Sequence, residues 1–232
     1  LMEEYDFKCD TEVPNLDLAL RNTTKVRPYQ EKALSQMFSA GRARSGIIVL
    51  PCGSGKTLVG ITACSTIKKP TLVLTSTAVA VEQWANQFLE YTTIDKDDVF
   101  TLTADKKQRI KTGENACVII TTYSMMGFSG KRSGESQFVM NQIKDVKWGL
   151  MICDEVQVMP ARTFRRTADL VVARAKLGLT ATLVREDELI NGNNMAELKC
   201  EEQNFIIFYF LFQLKHLRIG FSMMISITHM ST

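Results

Sequence analysis

The sequence predicts an α/β fold, a parallel sheet with helices on both faces. Three observations predict it. Short apolar runs alternate with segments of ten or more residues carrying a helical period, the signature of βαβ units. The short runs are apolar throughout rather than at every second residue, as strands buried on both faces must be. The residues with the most chemistry, 53–57, 154–155 and 180–182, all follow the ends of such runs, where open α/β sheets bind ligands.

The elements follow in order. Residues 1–25 are polar, with turn formers Pro14, Asn15 and Asn22, and read as an entry segment. A helix opens at Arg27-Pro28-Tyr29-Gln30, with proline in its first turn, and runs to about Ser39. Residues 46–50 form a buried strand, 57–67 a helix and 71–75 a second strand. Residues 79–91 form a helix with Trp84 and Phe88 one turn apart on one face. Strands follow at 99–103 and 117–121, then a helix at 137–145 and a strand at 149–153. That strand ends at Asp154-Glu155 and is expected to lie beside strand 46–50. A helix over 161–173 and a strand over 177–180 complete the domain, 26–190. Beyond Asp187 the pattern fades, and residues 191–232 read as an irregular tail.

Composition narrows the function. The 232 residues suffice for one domain with a sizeable core. A net charge of +3 does not announce a nucleic-acid binder, so any basic surface must be local. The basic clusters Arg42/Arg44 and Lys131/Arg132 read as solvated surface. The six cysteines form no CxxC pair, and the two histidines, His216 and His229, both lie in the tail, so a histidine-based metal or catalytic site is not expected. The longest apolar run, 205–212, is far short of the ~20 residues a membrane helix needs, and no membrane partner is expected.

Pro51-Cys52-Gly53-Ser54-Gly55-Lys56-Thr57 joins a strand to a helix, the context a phosphate-binding loop requires. Glycines let backbone N–H groups wrap phosphates, and the helix N-terminus adds partial positive charge. Lys56 is placed to reach the β- and γ-phosphates of ATP and Thr57 to ligate Mg2+. Of the adjacent carboxylates, Asp154 suits a Mg2+ contact through water and Glu155 the orientation and deprotonation of an attacking water. Gln30 carries a carboxamide that can both donate to and accept from an adenine edge. These features describe a P-loop NTPase domain.

In this order the motifs resemble those of superfamily 2 helicases, over about residues 1–190. Gly53–Thr57 resembles motif I, Asp154-Glu155-Val156-Gln157 motif II, Thr180-Ala181-Thr182 motif III, and Gln30, just after Arg27, the adenine-reading Q motif. Ser76–Gln83 and Thr121-Thr122-Tyr123-Ser124 occupy the places of the strand-binding motifs Ia and Ib, although Ser76, Thr121 and Thr122 fit ordinary loop and cap roles equally well. Arg27–Lys32, Gly41–Gly46, Trp148–Ile152, Phe164–Arg166 and Leu177–Asp187 are similar to the xeroderma pigmentosum group B family. Arg185-Glu186-Asp187 resembles its RED motif, implicated in DNA opening. A small-molecule kinase, the rival P-loop class, needs neither motif III nor the Q motif.

The resemblance implies a RecA-like domain that binds ATP and Mg2+. It also implies 3′-to-5′ DNA helicase activity in transcription initiation and nucleotide excision repair, DNA and TFIIH subunits as partners, and a nuclear location. Two departures stand out. Gln157 replaces the family's usual histidine, which bears on coupling to Thr180 and Thr182. Residues 191–232 do not resemble the second RecA-like domain, which in superfamily 2 supplies the catalytic arginine; the only arginine after Arg185 is Arg218. The alternative expectation is therefore a truncated ATP-binding or interaction fragment without helicase activity of its own.

Overall fold

The computed structural model describes residues 4–106, 116–128, 130, 134–158, 163, 166–167, 170–181 and 225–227. Its helices are α1 (Pro28–Met37), α2 (Lys56–Ile67), α3 (Ala78–Tyr91), α4 (Tyr123–Gly127) and α5 (Gly134–Asp145). A two-residue antiparallel pair, β1 (Phe38–Ser39) and β2 (Arg42–Ala43), follows α1. The main strands are β3 (Gly46–Val49), β4 (Thr71–Thr75), β5 (Val99–Leu102), β6 (Val118–Thr122), β7 (Trp148–Asp154) and β8 (Ala173–Thr180). All pair in parallel in the order β5-β6-β4-β7-β8-β3, and β9 (Ile225–Ile227) adds a parallel strand to the open edge of β3.

Alternate strand residues feed two cores. Ile48, Val73, Ile120, Leu150 and Ile152 pack with α1, α2 and α3. Ile47, Leu72, Leu74, Ile119, Met151 and Cys153 pack with α4 and α5. The expected parallel sheet with helices on both faces is borne out.

One expectation on topology is corrected. Strand β7 does not lie beside β3: β8 pairs with both, Ile47 against Gly178 on one side and Cys153 against Gly178 on the other. Parallel crossovers leave room for a later strand to be inserted, and apolar runs carry no information on neighbours. The insertion matters because it places Thr180 at the end of the strand between the two carrying the phosphate loop and the acidic pair. Strand β8 also starts at Ala173, where a helix was expected to end, four residues earlier than the apolar run 177–180 suggested. Of the helix expected over 161–173, residues 163, 166, 167 and 170 are helical. Thr182, Arg185, Glu186, Asp187 and all of the tail except 225–227 lie outside the described residues.

Residues 4–20 contribute to the first core. Tyr5, Phe7, Leu16 and Leu18 are buried in it. The backbone N–H of Leu16 donates to the Lys68 carbonyl, and that of Thr93 to the Ala19 carbonyl. Lys69, itself buried, donates from Nζ to the carbonyls of Asp10 and Val13, 2.7 Å each. The segment docks onto the helices without forming a helix or long strand of its own, so its apolar residues show no period. Arg42 and Arg44 are paired with Glu4, and Arg42 with Asp6 as well, which confirms their place on the surface but commits their charge to the entry segment.

Gly149 on β7 lies against Lys69, and a Cβ there would come within 2.3 Å of the Lys69 Cβ. The overlap falls on the base of the Lys69 side chain rather than its flexible end, so Gly149→Ala should destabilise the domain by about 1–3 kcal/mol, as overpacked cores do. A urea midpoint equal to the parent's would refute this close packing.

Candidate functional site

The phosphate loop joins β3 to α2. Gly53 and Gly55 adopt left-handed backbone, with φ of 75° and 78°, which side chains disfavour. The loop is held from one side by α1. The Tyr29 hydroxyl and the Gln30 Nε2 both donate to the Ser54 carbonyl, 2.8 Å each, and the Gln30 Oε1 accepts the Arg27 N–H at 2.8 Å. A Cβ at Gly55 would sit 2.7 Å from the Gln30 Nε2, so glycine is also what lets Gln30 approach. Gln30 is thus buried with its carboxamide engaged at both ends. Reading a base edge would require exchanging these bonds, and as folded Gln30 shapes the loop.

Lys56 is the first residue of α2, and its Nζ lies 3.3 Å from the Glu155 Oε1. Glu155 follows β7 in a left-handed conformation, φ 49°, rare for a residue with a Cβ. Such strain persists where surrounding contacts enforce it, commonly at functional sites. Here the contacts are Lys56 on one carboxylate oxygen and, on the other, the Gln157 Nε2, which donates to Oε2 at 2.6 Å. The Gln157 Oε1 in turn accepts from the Thr180 hydroxyl at 2.6 Å. A continuous relay therefore runs Lys56–Glu155–Gln157–Thr180. It closes because β8 brings Thr180 between the other two strand ends, with the Leu50 N–H bonded to the Thr180 carbonyl. A carboxamide donates with one end and accepts with the other, so Gln157 completes the link where the resemblance has histidine.

Asp154 is largely buried beneath this relay. The Trp84 Nε1 donates to its Oδ2 at 2.8 Å, and the Tyr123 hydroxyl donates to its backbone carbonyl at 2.6 Å. Burial pushes its carboxyl above the usual carboxylate range, and Glu155 adds to this, while the Trp84 N–H and the Lys56 ammonium pull it back. Burial also raises the Tyr123 phenol well above its ordinary value, so it remains a hydrogen-bond donor.

A cleft of about 890 Å³ covers the loop, lined also by Thr24, Lys25, Arg27, Gln87 and Tyr91. Its lining includes Lys25 and Lys56, the Thr57 hydroxyl and the carboxylates of Glu90, Asp154 and Glu155. Among the described residues no three carboxylate, histidine or cysteine side chains cluster as a metal site. A hard divalent cation here would accordingly take one carboxylate and the Thr57 hydroxyl from the protein and its remaining oxygens from phosphates and water, which suits magnesium-type coordination. The donor set fits a phosphate-bound cation. Pro51 and Cys52 form the exposed outer rim of the loop.

The strand-binding candidates separate. Ser76 is exposed at the end of β4. Thr122 caps α4, its hydroxyl accepting the Met125 N–H. Thr121 is fully buried within β6, so the side-chain contact with a polynucleotide expected of it is corrected: helices cover both faces of the sheet, and every position of β6 is buried. Trp84 and Tyr123 were not singled out as site residues. Their indole and phenol donors were the available signal, since buried donors of this kind seek partners, but only the fold shows the partner to be Asp154.

Comparison with known proteins agrees with this geometry. The family model described as "Type III restriction enzyme, res subunit" matches residues 23–185. The general transcription and DNA repair factor IIH helicase/translocase subunit XPB of Dictyostelium discoideum is 54% identical over 194 residues, covering 84% of this chain and 24% of that protein. The subunit of the same name from Schizosaccharomyces pombe is 52% identical over 194 residues, covering 84% and 24%. The chain thus spans about a quarter of the length of these relatives. The crystal structure of the UvsW helicase from bacteriophage T4 superposes with a TM-score of 0.57 at 15% identity, covering 97% of this chain and 69% of that one, a likeness of fold. The resemblance to superfamily 2 helicases of the xeroderma pigmentosum group B kind is borne out, and the chain belongs to the family described as type III restriction enzyme, res subunit.

Proposed function

We propose that this chain is the ATP- and Mg2+-binding RecA-like domain of a DNA-dependent ATPase. In this reading it is a 3′-to-5′ DNA helicase or translocase of the TFIIH type, acting in the nucleus in transcription initiation and nucleotide excision repair, with DNA and TFIIH subunits as partners. The observation that carries the reading is the relay Lys56–Glu155–Gln157–Thr180, which joins a phosphate loop, an acidic pair and a strand-end hydroxyl in one hydrogen-bonded unit. Relatives named helicase/translocase support it over the alternative of an inert ATP-binding fragment.

In this reading the backbone N–H groups of 53–57 hold the phosphates, and Lys56 exchanges Glu155 for the β- and γ-phosphates. Thr57 and Asp154 would hold Mg2+, which neutralises charge on the phosphates when bound. Glu155, released from Lys56, accepts the proton of the attacking water. Gln157 fixes the Glu155 carboxylate and ties its position to Thr180. Single-turnover ATP hydrolysis with and without double-stranded DNA tests the assignment, using Gln157→Leu as the informative variant. Nucleotide affinity should be kept and DNA stimulation lost; stimulation that survives in Gln157→Leu would break the link between relay and function.

Gln30 gives a separate expectation. Because its carboxamide supports the Ser54 carbonyl, Gln30→Ala should weaken ATP and GTP about equally, on the order of tenfold for a lost loop contact. A selective loss of ATP binding in calorimetry would instead restore the base-reading role expected from the sequence.

A further inference from the structure

We infer that Trp84 and Tyr123 are paired positioning residues that grip Asp154 from opposite faces of the sheet and couple occupancy of the two strand-end loops to metal–nucleotide binding. The inference rests on the proposed function of the site and deepens it.

Trp84 belongs to α3 and the first core, Tyr123 to α4 and the second. Both rings are buried, and both spend their single donor on the same residue: the Trp84 Nε1 on the Asp154 carboxylate, the Tyr123 hydroxyl on the Asp154 carbonyl. One bond fixes the side chain and the other the main chain, so between them they determine where the second carboxylate oxygen points. A single bond would leave the carboxyl free to rotate or the strand end free to shift.

The two grips also start at places that can sense a ligand. Trp84 lies about two turns after Thr77, which follows Ser76 and caps α3 by accepting the Ala80 N–H. Tyr123 directly follows Thr122, which caps α4. These are the loops after β4 and β6, the places where the resemblance puts strand-binding motifs. Trp84 cannot move independently of the phosphate loop either, since Gly60 of α2 is flat against it: a Cβ at Gly60 would come within 2.6 Å of the indole. The indole is wedged between α2, α3 and Asp154, and its ring also lies 6.1 Å from that of Phe88. A shift of either helix therefore reaches Asp154 through a rigid, close-packed ring rather than a flexible chain.

The test uses the whole chain and two substitutions that remove the donors, Tyr123→Phe, which keeps the ring, and Trp84→Phe, which also shrinks it. Affinity for ATP is measured by calorimetry at saturating and at vanishing Mg2+, with and without a DNA duplex. In the parent, DNA should change the Mg2+-dependent affinity, and by reciprocity Mg2+-ATP should change DNA affinity by the same factor. Trp84→Phe should weaken ATP binding about tenfold in Mg2+, the loss of one charge-assisted bond, and leave Mg2+-free binding unchanged. In both variants the coupling factor should fall toward one. Tyr123→Phe keeps all packing, so it decides the matter if Trp84→Phe lowers the thermal midpoint sharply. Retained coupling in both variants, or a parent in which DNA and Mg2+-ATP bind independently, overturns the inference. Lys56→Ala separates the two levels: if that variant still binds ATP, the proposed function itself fails, whereas loss there with unaltered Trp84→Phe and Tyr123→Phe sinks only the grip on Asp154.

Discussion

Lys56→Ala should lose nucleotide binding while keeping the fold. Lys56 is the first residue of α2, where alanine is well tolerated. Among the described residues it pairs with Glu155, whose side chain is 32% exposed, so water can take over that contact at little cost. Its contribution to a bound triphosphate is of another order. Within a loop whose other donors are neutral N–H groups, the ammonium supplies charge-assisted contacts of ~1.5–3 kcal/mol each. Loss of two such contacts corresponds to at least about 10²-fold in affinity. Titration calorimetry with Mg2+-ATP reads this directly, and thermal unfolding checks the fold. Affinity equal to the parent's would remove the phosphate site from this loop.

What the sequence shows of this molecule follows from where information sits along the chain. Strands β3, β4, β6 and β7 were legible because strands buried on both faces must be apolar at every position, and no other element of that length is. Helix α3 was legible from Trp84 and Phe88. The phosphate loop was legible because glycine, lysine and threonine at that spacing between strand and helix serve few other purposes. Strand order was not. The position of β8 between β3 and β7 depends on pairings more than 20 residues apart, and Leu177, Leu179 and Ala175 would look the same in any interior place. Nor could the role of residues 4–20 be read, since Lys69 anchors them through main-chain carbonyls, which every sequence has. Among the site residues, sequence placed Lys56, Asp154, Glu155 and Gln157 together correctly. It could not foresee that Gln30 would be bonded at both ends, or that Thr121 would face inward.

The replacement of histidine by Gln157 also gains a physical account. The position must donate to Glu155 and accept from Thr180. A neutral imidazole does so with two ring nitrogens and a carboxamide with its nitrogen and oxygen, so the relay survives the exchange. The difference is that a carboxamide never acquires charge near neutral pH, so the link at Gln157 does not titrate where an imidazole would.

Glu155→Gln should separate binding from chemistry. The substitution keeps the shape of the side chain, and the new amide oxygen can still accept from the Gln157 Nε2, so the relay to Thr180 and the strained turn after β7 both persist. What disappears is the carboxylate. Lys56 then loses the carboxylate it is paired with in the resting site, leaving only its attraction to Asp154, and Mg2+-ATP affinity should be equal to the parent's or higher. Proton acceptance from the attacking water is lost, and general-base contributions run at roughly 10²–10⁴-fold. Single-turnover hydrolysis under the same DNA conditions should fall by that range. Glu155→Ala provides the contrast. It too removes the base, but it also cuts Gln157 off from the phosphate loop, so any effect of DNA on nucleotide affinity should vanish with it and survive in Glu155→Gln. If Glu155→Gln instead hydrolyses ATP at the parental rate, the base is another group. Of the other two carboxylates lining the cleft, Asp154 is held by Trp84 and Tyr123 in a position that serves a cation better than a water, so the search would move to Glu90.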